Sequence, residues 1–325
     1  MIYIEPKGTS AARHFAAEEY IMENIDGNVM MIWQADNCIM LGSNQVANIE
    51  ADLHFAHKAG INIVRRPSGG GAIFTDMGTL LYTFITPYEE ADIARNKAAT
   101  AVAEALKALG VPADVKGRND IICNGKKISG LAQYIKYGKI CTHGSLLYNA
   151  DLDKLAAALT PDEGKIITKG IRSVRSRVTN IAEYMEEPPN TEDFWHKLKN
   201  SLLKGQNNKE YVLNEAEYAA IDKICEAKYN NNDWTYGRAP KFTFHNTRRY
   251  EEGRIEIFVD VEKGLVKNCA IRGDFLAVRP ISELEARLSG VLFLKEDFSE
   301  VLNEVKLADY LGNIKIDEFL SAVFE

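Results

Sequence analysis

Apolar residues recur along the chain with two spacings, and the switches between them outline its elements. Thr9 or Ser10 can cap a helix through AARHFAAEEYIMEN, where Ala12, Phe15, Ala16 and Tyr20 fall on one side at helical spacing. NVMMIWQ and NCIMLGS are nearly continuous apolar runs and predict two buried strands joined at Ala35–Asp36. INIVRR predicts a third strand that enters three glycines, with AIFTD continuing it beyond. GTLLYTFITP predicts another, ended by Pro87, and the alanine-rich ADIARNKAATAVAEALKALG predicts a helix closed by glycine. Residues 115–151 alternate strand-like runs with Asn-Gly and Tyr-Gly turns, the pattern of an antiparallel meander. Helices are expected at 151–159, 191–203 and 214–228.

A second unit starts near residue 245, which divides the chain into 1–244 and 245–325. In RIEIFVDV the residues Ile255, Ile257, Val259 and Val261 share one face, the period-two signature of a half-buried strand. Glu262-Lys263-Gly264 turns it into LVKNCAIRGD, and short helices follow. The weakly hydrophobic YNNNDWTYGRAP reads as the linker. No internal repeat or low-complexity tract is present.

Composition narrows the class. A chain of 325 residues with 46% hydrophobic and 26% charged positions can bury a sizeable core. The five cysteines are widely spaced and form no CxxC, which suits a reducing compartment and buried thiols. The first residues lack a basic region leading into a long apolar run, and no stretch approaches the ~18 apolar residues of a membrane span. A cytoplasmic protein without membrane attachment is expected. A net charge of −7 argues against general nucleic-acid binding. Locally the balance reverses: Gly164–Ala182 holds no acid but carries Lys165, Lys169, Arg172, Arg175 and Arg177. A solvated loop or a contact with a small anion both fit that segment.

Two further segments bear on chemistry. In RRPSGGGAIF, Gly69, Gly70 and Gly71 let the backbone approach a ligand and offer N–H groups, while Arg65 and Arg66 supply forked donors for carboxylate or phosphate. An ordinary bulge fits a bare triple glycine equally. The run is no dinucleotide fingerprint, and no P-loop occurs. In GRNDIICNGKKISGLAQ, Asp120 is a candidate Mg²⁺ ligand with Asn119 beside it, and alternation turns Lys126 or Lys127 inward. The six histidines show no zinc spacing and no GxSxG elbow appears.

Taken together, WQADNCIMLGSNQ, RRPSGGGAIFTDMGTLLYTF, GRNDIICNGKKISGLAQ, THGSLLYNADLDKL and KGIRSVRSRVTNI resemble the lipoate–protein ligase A family, in that order along residues 30–181. The likeness continues through WTYGRAPKF and FVDVEKG. It implies an α+β fold: a biotin/lipoate ligase-type catalytic domain with a mixed, largely antiparallel sheet, and a small C-terminal accessory domain. It also implies two steps, activation of lipoate by ATP and Mg²⁺ to lipoyl-AMP, then transfer to a lysine of a lipoyl-domain E2 protein or glycine-cleavage H protein. By the same resemblance Lys127 is catalytic, bridging carboxyl and α-phosphate oxygens. Arg66, Ser68, Gly69–Gly71, Ser129, Gly130 and His143 would contact lipoate or lipoyl-AMP. Gly71, Ala72, Ile73, Phe74, Lys127, Ala132, Arg175, Val178, Thr179 and Asn180 would contact the nucleotide, and Asp120 with Asn119 would hold the metal. A monomer is the default expectation.

Two departures touch acyl-chain choice between lipoate and octanoate: Thr75 stands where the family often has histidine, and Leu131 replaces a small hydroxyl residue. The rival reading is an acyltransferase of the same fold that works through a cysteine thioester without ATP. The NADLDKLAAALTPDEGK region, where transferase relatives carry that cysteine, has none, which leaves Cys141 as the candidate. A lipoate- or adenylate-binding subunit that needs a second protein is a third reading.

Overall fold

The computed structural model describes residues 1–159, 176–205, 207–237, 244–262 and 264–324. Eight strands form the main sheet: β1 (Ile2–Ile4), β2 (Val29–Trp33), β6 (Thr79–Pro87), β7 (Ala113–Lys116), β8 (Asp120–Cys123), β9 (Lys126–Lys136), β10 (Lys139–Leu147) and β11 (Lys209–Glu210). Their order is β11-β1-β2-β6-β10-β9-β8-β7. Pairing is parallel where β1 meets β11 and β2, and antiparallel from β2 through β7. The mixed, largely antiparallel sheet expected from the sequence is therefore present.

Every residue of β2 is buried, because the sheet is covered on both faces. Met30 and Ile32 pack with α2 (Ala91–Ala108) and α3 (Thr191–Leu203), while Val29, Met31 and Trp33 pack with α1 (Ala11–Asn24) and α4 (Glu215–Ile224). Ser10 is the N-cap of α1, its hydroxyl accepting from Arg13 N–H at 3.4 Å. Glu18 and Glu19 of α1 are both buried, Glu19 on the same side of the helix as Phe15 and Ala16.

Strands β3 (Cys38–Leu41), β4 (Asn62–Arg65) and β5 (Ile73–Thr75) form a separate sheet in the order β4-β3-β5. This corrects one local expectation. β5 does not extend β4: β4 runs parallel to β3 and β5 antiparallel to it, so the glycine run carries the chain across β3 and reverses it.

A smaller C-terminal domain carries the antiparallel sheet β12 (Phe244–Tyr250), β13 (Gly253–Glu262) and β14 (Leu265–Gly273). Ile255, Ile257 and Val259 are fully buried against α5 (Ile281–Leu288), α6 (Lys295–Asn303) and α7 (Ile316–Phe324). The described part of the YNNNDWTYGRAP stretch, residues 229–237, is folded onto the catalytic domain. Residues 232–236 form a short helix whose Trp234 and Thr235 carbonyls accept from the Arg65 guanidinium.

Candidate active site

A cavity of about 160 Å³ opens between the glycine loop, β9 and β10. Its deep wall is apolar: Phe15, Trp33, Met40, Leu81 and Leu131 line it. Arg66, Gly70, Gly71, Ala72, Ile73, Asn119, Lys127, Gly130, Ala132 and His143, all singled out in the sequence, border the same space. An apolar slot ending in a few polar groups suits an acyl chain with a polar head.

The glycine loop is fixed by buried hydrogen bonds. Arg65 is fully buried and donates to the carbonyls of Gly42 (2.6 Å), Gln45 (2.7 Å) and Thr235 (2.6 Å), so it holds the scaffold. Arg66, also buried, donates to Met40 O (2.9 Å), Gly69 O (2.7 Å), Gly71 O (2.7 Å) and the Ser68 hydroxyl (3.1 Å). Burial pulls its guanidinium down to about 10. Ser68 sits behind the cavity wall, 2.6 Å from His143 Nε2, and His143 Nδ1 lies 3.0 Å from both oxygens of Glu18. Thr83 also donates to Glu18 (2.6 Å). The result is a buried chain from Arg66 through Ser68 and His143 to Glu18.

The three glycines differ in what they permit. A Cβ on Gly69 would stand 2.8 Å from Ala277 N and 2.9 Å from Phe275 O, both backbone atoms of the C-terminal domain. Gly70 adopts φ +91°, donates its N–H to Phe275 O at 3.0 Å, and has Leu276 Cδ2 2.9 Å from where a Cβ would be. Gly71 has no heavy atom nearer than Asp274 Cβ at 4.0 Å. Close approach is thus required at Gly69 and Gly70 by the strap 273–278 of the accessory domain. Leu276 of that strap reaches the cavity itself.

The opposite wall is the β8–β9 hairpin, turned at Asn124 (φ 47°) and Gly125 (φ 82°). Lys127 Nζ lies 2.7 Å from Asp120 Oδ1, with both side chains partly exposed. Its stem crosses Gly130, where a Cβ would stand 2.9 Å from Lys127 Cε. The Lys127–Asp120 contact is an ion pair without hydrogen-bond geometry, since Asp120 Oδ1 is buried with no hydrogen-bond partner. Asn119 spends its amide N–H₂ on Leu131 O (3.2 Å). A carboxylate whose buried oxygen has only an ammonium near it, next in sequence to an amide side chain, fits Mg²⁺, which takes few protein oxygens and completes its shell with phosphate and water.

The remaining candidates lie around this frame. Ser129 is buried against Tyr82 OH (3.1 Å), and Phe74 packs with Ile39 and Leu41. Val178 bridges Lys127, Thr179 N–H donates to Lys127 O (3.1 Å), and Asn180 braces Ala150 through both ends of its amide (2.9 Å each). The end of the cationic segment therefore returns to the Lys127 backbone; Arg175 lies outside the described residues. Thr75 points at Cys38 O (3.5 Å) and does not border the cavity, whereas Leu131 narrows it. All five cysteines are buried and none lines the cavity; burial raises the Cys141 thiol well above its usual value. The residue that sequence reasoning missed is Glu18: it reads as one more acid in AAEEY, and its partner His143 lies 125 positions away.

This fold and site have known counterparts. Residues 10–203 match the family model of the lipoyl protein ligase A/B catalytic domain, and residues 239–323 match that of the bacterial lipoate protein ligase C-terminus. The chain is 36% identical to lipoate-protein ligase LplJ of Bacillus subtilis, over 100% of both. Among solved structures, LipL1 of P. falciparum in complex with lipoate shares the fold, with a TM-score of 0.80 and 22% identity over 98% of each chain. A lipoate-protein ligase A bound with ATP superposes with a TM-score of 0.61 and 25% identity, over 73% of this chain and 98% of that one. The bipartite lipoate protein ligase of Thermoplasma acidophilum, described with its E2 lipoyl domain, gives 0.66 and 26%, over 75% and 98%. The chain belongs to the lipoate–protein ligase family.

Proposed function

We propose that this chain activates lipoate with ATP to lipoyl-AMP and passes the lipoyl group to an acceptor lysine, with Lys127 as the central charged group. The observation that carries this reading is Lys127 poised across Gly130 beside Asp120, at the polar border of an otherwise apolar cavity.

The chemistry asks for little covalent help. A carboxylate and a triphosphate repel each other, so rate comes from alignment and charge neutralisation. The acyl chain lies along Trp33, Leu81 and Leu131 with its carboxylate toward Lys127. The carboxylate oxygen bonds to the α-phosphorus, the α–β P–O bond breaks, and its electron pair leaves on pyrophosphate. Lys127 as a compact cation steadies the negative charge shared by carboxyl and α-phosphate. The amides of the Gly71–Ile73 segment border the nucleotide, as do Val178–Asn180, which rest on the Lys127 backbone. Asp120 and Asn119 would hold Mg²⁺, which supplies neutralisation of phosphate charge when bound. Arg66 and Ser68 act by holding the loop, since their donors are engaged within it. In the second step an uncharged acceptor lysine attacks the mixed anhydride and AMP departs.

The acceptors in this reading are lipoyl-domain E2 proteins or a glycine-cleavage H protein, met by a cytoplasmic monomer divided at 244/245. Among the described residues no helix is long and apolar enough to cross a membrane. A thioester route lacks an accessible thiol. The test is ATP–pyrophosphate exchange with lipoate, octanoate and biotin side by side. Lipoate-dependent exchange without acceptor is expected; no exchange, with acyl transfer from an acyl carrier protein, would replace this reading by the transferase.

A further inference from the structure

Arg118 lies in the turn between β7 and β8, immediately before Asn119 and Asp120, and nothing above gives it a task. Its Nη1 is buried and has no hydrogen-bond partner, and among the described residues it forms no ion pair. An arginine donor shut away from water without an acceptor is costly and calls for an explanation. The cavity beside this side chain supplies one. Arg118 borders a cavity of about 330 Å³ that shares Gly71, Asn119 and Leu276 with the acyl cavity, so the two spaces meet beside the Lys127–Asp120 pair.

From this juxtaposition we propose that Arg118 receives the pyrophosphate as it leaves the α-phosphorus. The inference rests on the ligase reading, and adds where the leaving group goes. With the acyl carboxylate in the apolar slot and Lys127 at the α-phosphate, the departing oxygens must lie on the far side of phosphorus from the attacking oxygen. The second cavity is the adjoining space there, and Arg118 offers forked donors suited to phosphate oxygens.

The accessory domain competes for this cation. Glu251 and Glu252, in the β12–β13 turn, line the same cavity, and Glu252 exerts an opposing pull on the Arg118 charge. Gly312 lies over the guanidinium closely enough that a Cβ there would stand 2.8 Å from Nη1. Two carboxylates thus line the cavity that the leaving pyrophosphate would enter. Pyrophosphate binding and the docked position of this turn therefore oppose each other.

The test uses the full-length enzyme and follows lipoate-dependent exchange at varied pyrophosphate, alongside lipoyl transfer from preformed lipoyl-AMP to a lipoyl domain. Arg118→Ala is expected to raise the KM for pyrophosphate about tenfold or more, the weight of a charge-assisted hydrogen bond. Transfer from preformed adenylate should stay within about twofold. Arg118→Lys, which keeps the charge and guards against a folding defect, should recover part of the affinity. Glu251→Gln with Glu252→Gln should lower that KM. An unchanged pyrophosphate KM in both Arg118 variants overturns the inference, as does an equal loss in both half-reactions, which marks a structural role. Absence of exchange in the unsubstituted enzyme would instead overturn the ligase reading, and this inference with it.

Discussion

The two walls of the acyl cavity are built on opposite principles. The glycine loop from Arg65 to Phe74 is over-determined: both arginines are buried, their donors are engaged by carbonyls, and Ser68 is tied through His143 to Glu18. The β8–β9 hairpin is under-satisfied. Lys127 and Asp120 are partly exposed, and Asp120 Oδ1 lacks a hydrogen bond even with an ammonium 2.7 Å away. The cations beside the glycines donate to backbone carbonyls and so hold the loop, while the lysine across the cavity has one carboxylate partner and stays partly exposed.

That contrast can be broken by mutation, since loop changes should cost stability and hairpin changes activity. Arg66→Ala should have the largest effect. It strands the carbonyls of Met40, Gly69 and Gly71 in a buried site, a loss on the order of 4 kcal/mol that urea unfolding would read. Next comes acid sensitivity. Burial depresses His14 to about 4, so the folded state holds it neutral while the unfolded chain protonates near 6.5. Stability from this group is complete above pH 6.5 and lost as pH falls toward 4, by about 3 kcal/mol. A pH series of urea midpoints should show that slope, and His14→Gln should flatten it. Ser68→Ala removes one link of the relay and should cost about 1–3 kcal/mol.

The smallest structural effect should come from the glycine with open space. Gly69→Ala drives a methyl into the backbone of the accessory strap and should loosen the docking of that domain, read as faster amide exchange over 273–278. Gly71→Ala meets only Asp274 Cβ, at an ordinary van der Waals distance of 4.0 Å, and should leave the thermal midpoint unchanged. If Gly71→Ala nevertheless reduces exchange activity, close approach of a ligand to that backbone is the cause. Equal destabilisation by both substitutions would erase the distinction between the two glycines.

The hairpin was legible because its turn chemistry is local: Asn124-Gly125 sets the reversal, although Lys126 and Lys127 are both half-buried rather than one in and one out. β2 and β6 were legible from their apolar runs and the buried face of β13 from its period of two, whereas β1 and β11 of the main sheet were not read from the sequence. What could not be read depends on partners distant in sequence. β2 and β3 look like one hairpin, yet they enter different sheets, because β3 is claimed by β4 and β5. Glu18 is buried among partners that reach it from three strands, Thr83 of β6, Tyr134 of β9 and His143 of β10. The tight packing at Gly69 and Gly70 traces to a strap some two hundred residues later. A triple glycine therefore carried the right location and an incomplete reason.

The central claim is that charge from Lys127 drives adenylation while the loop opposite only shapes the cavity. The direct measurement is lipoate-dependent ATP–pyrophosphate exchange by Lys127→Ala, compared with its urea unfolding midpoint. A fall of about 100- to 1000-fold in exchange is predicted, the cost of losing a preorganised electrostatic group, with the unfolding midpoint unchanged. Full exchange in that variant, or a loss of stability that matches the loss of activity, would contradict the account.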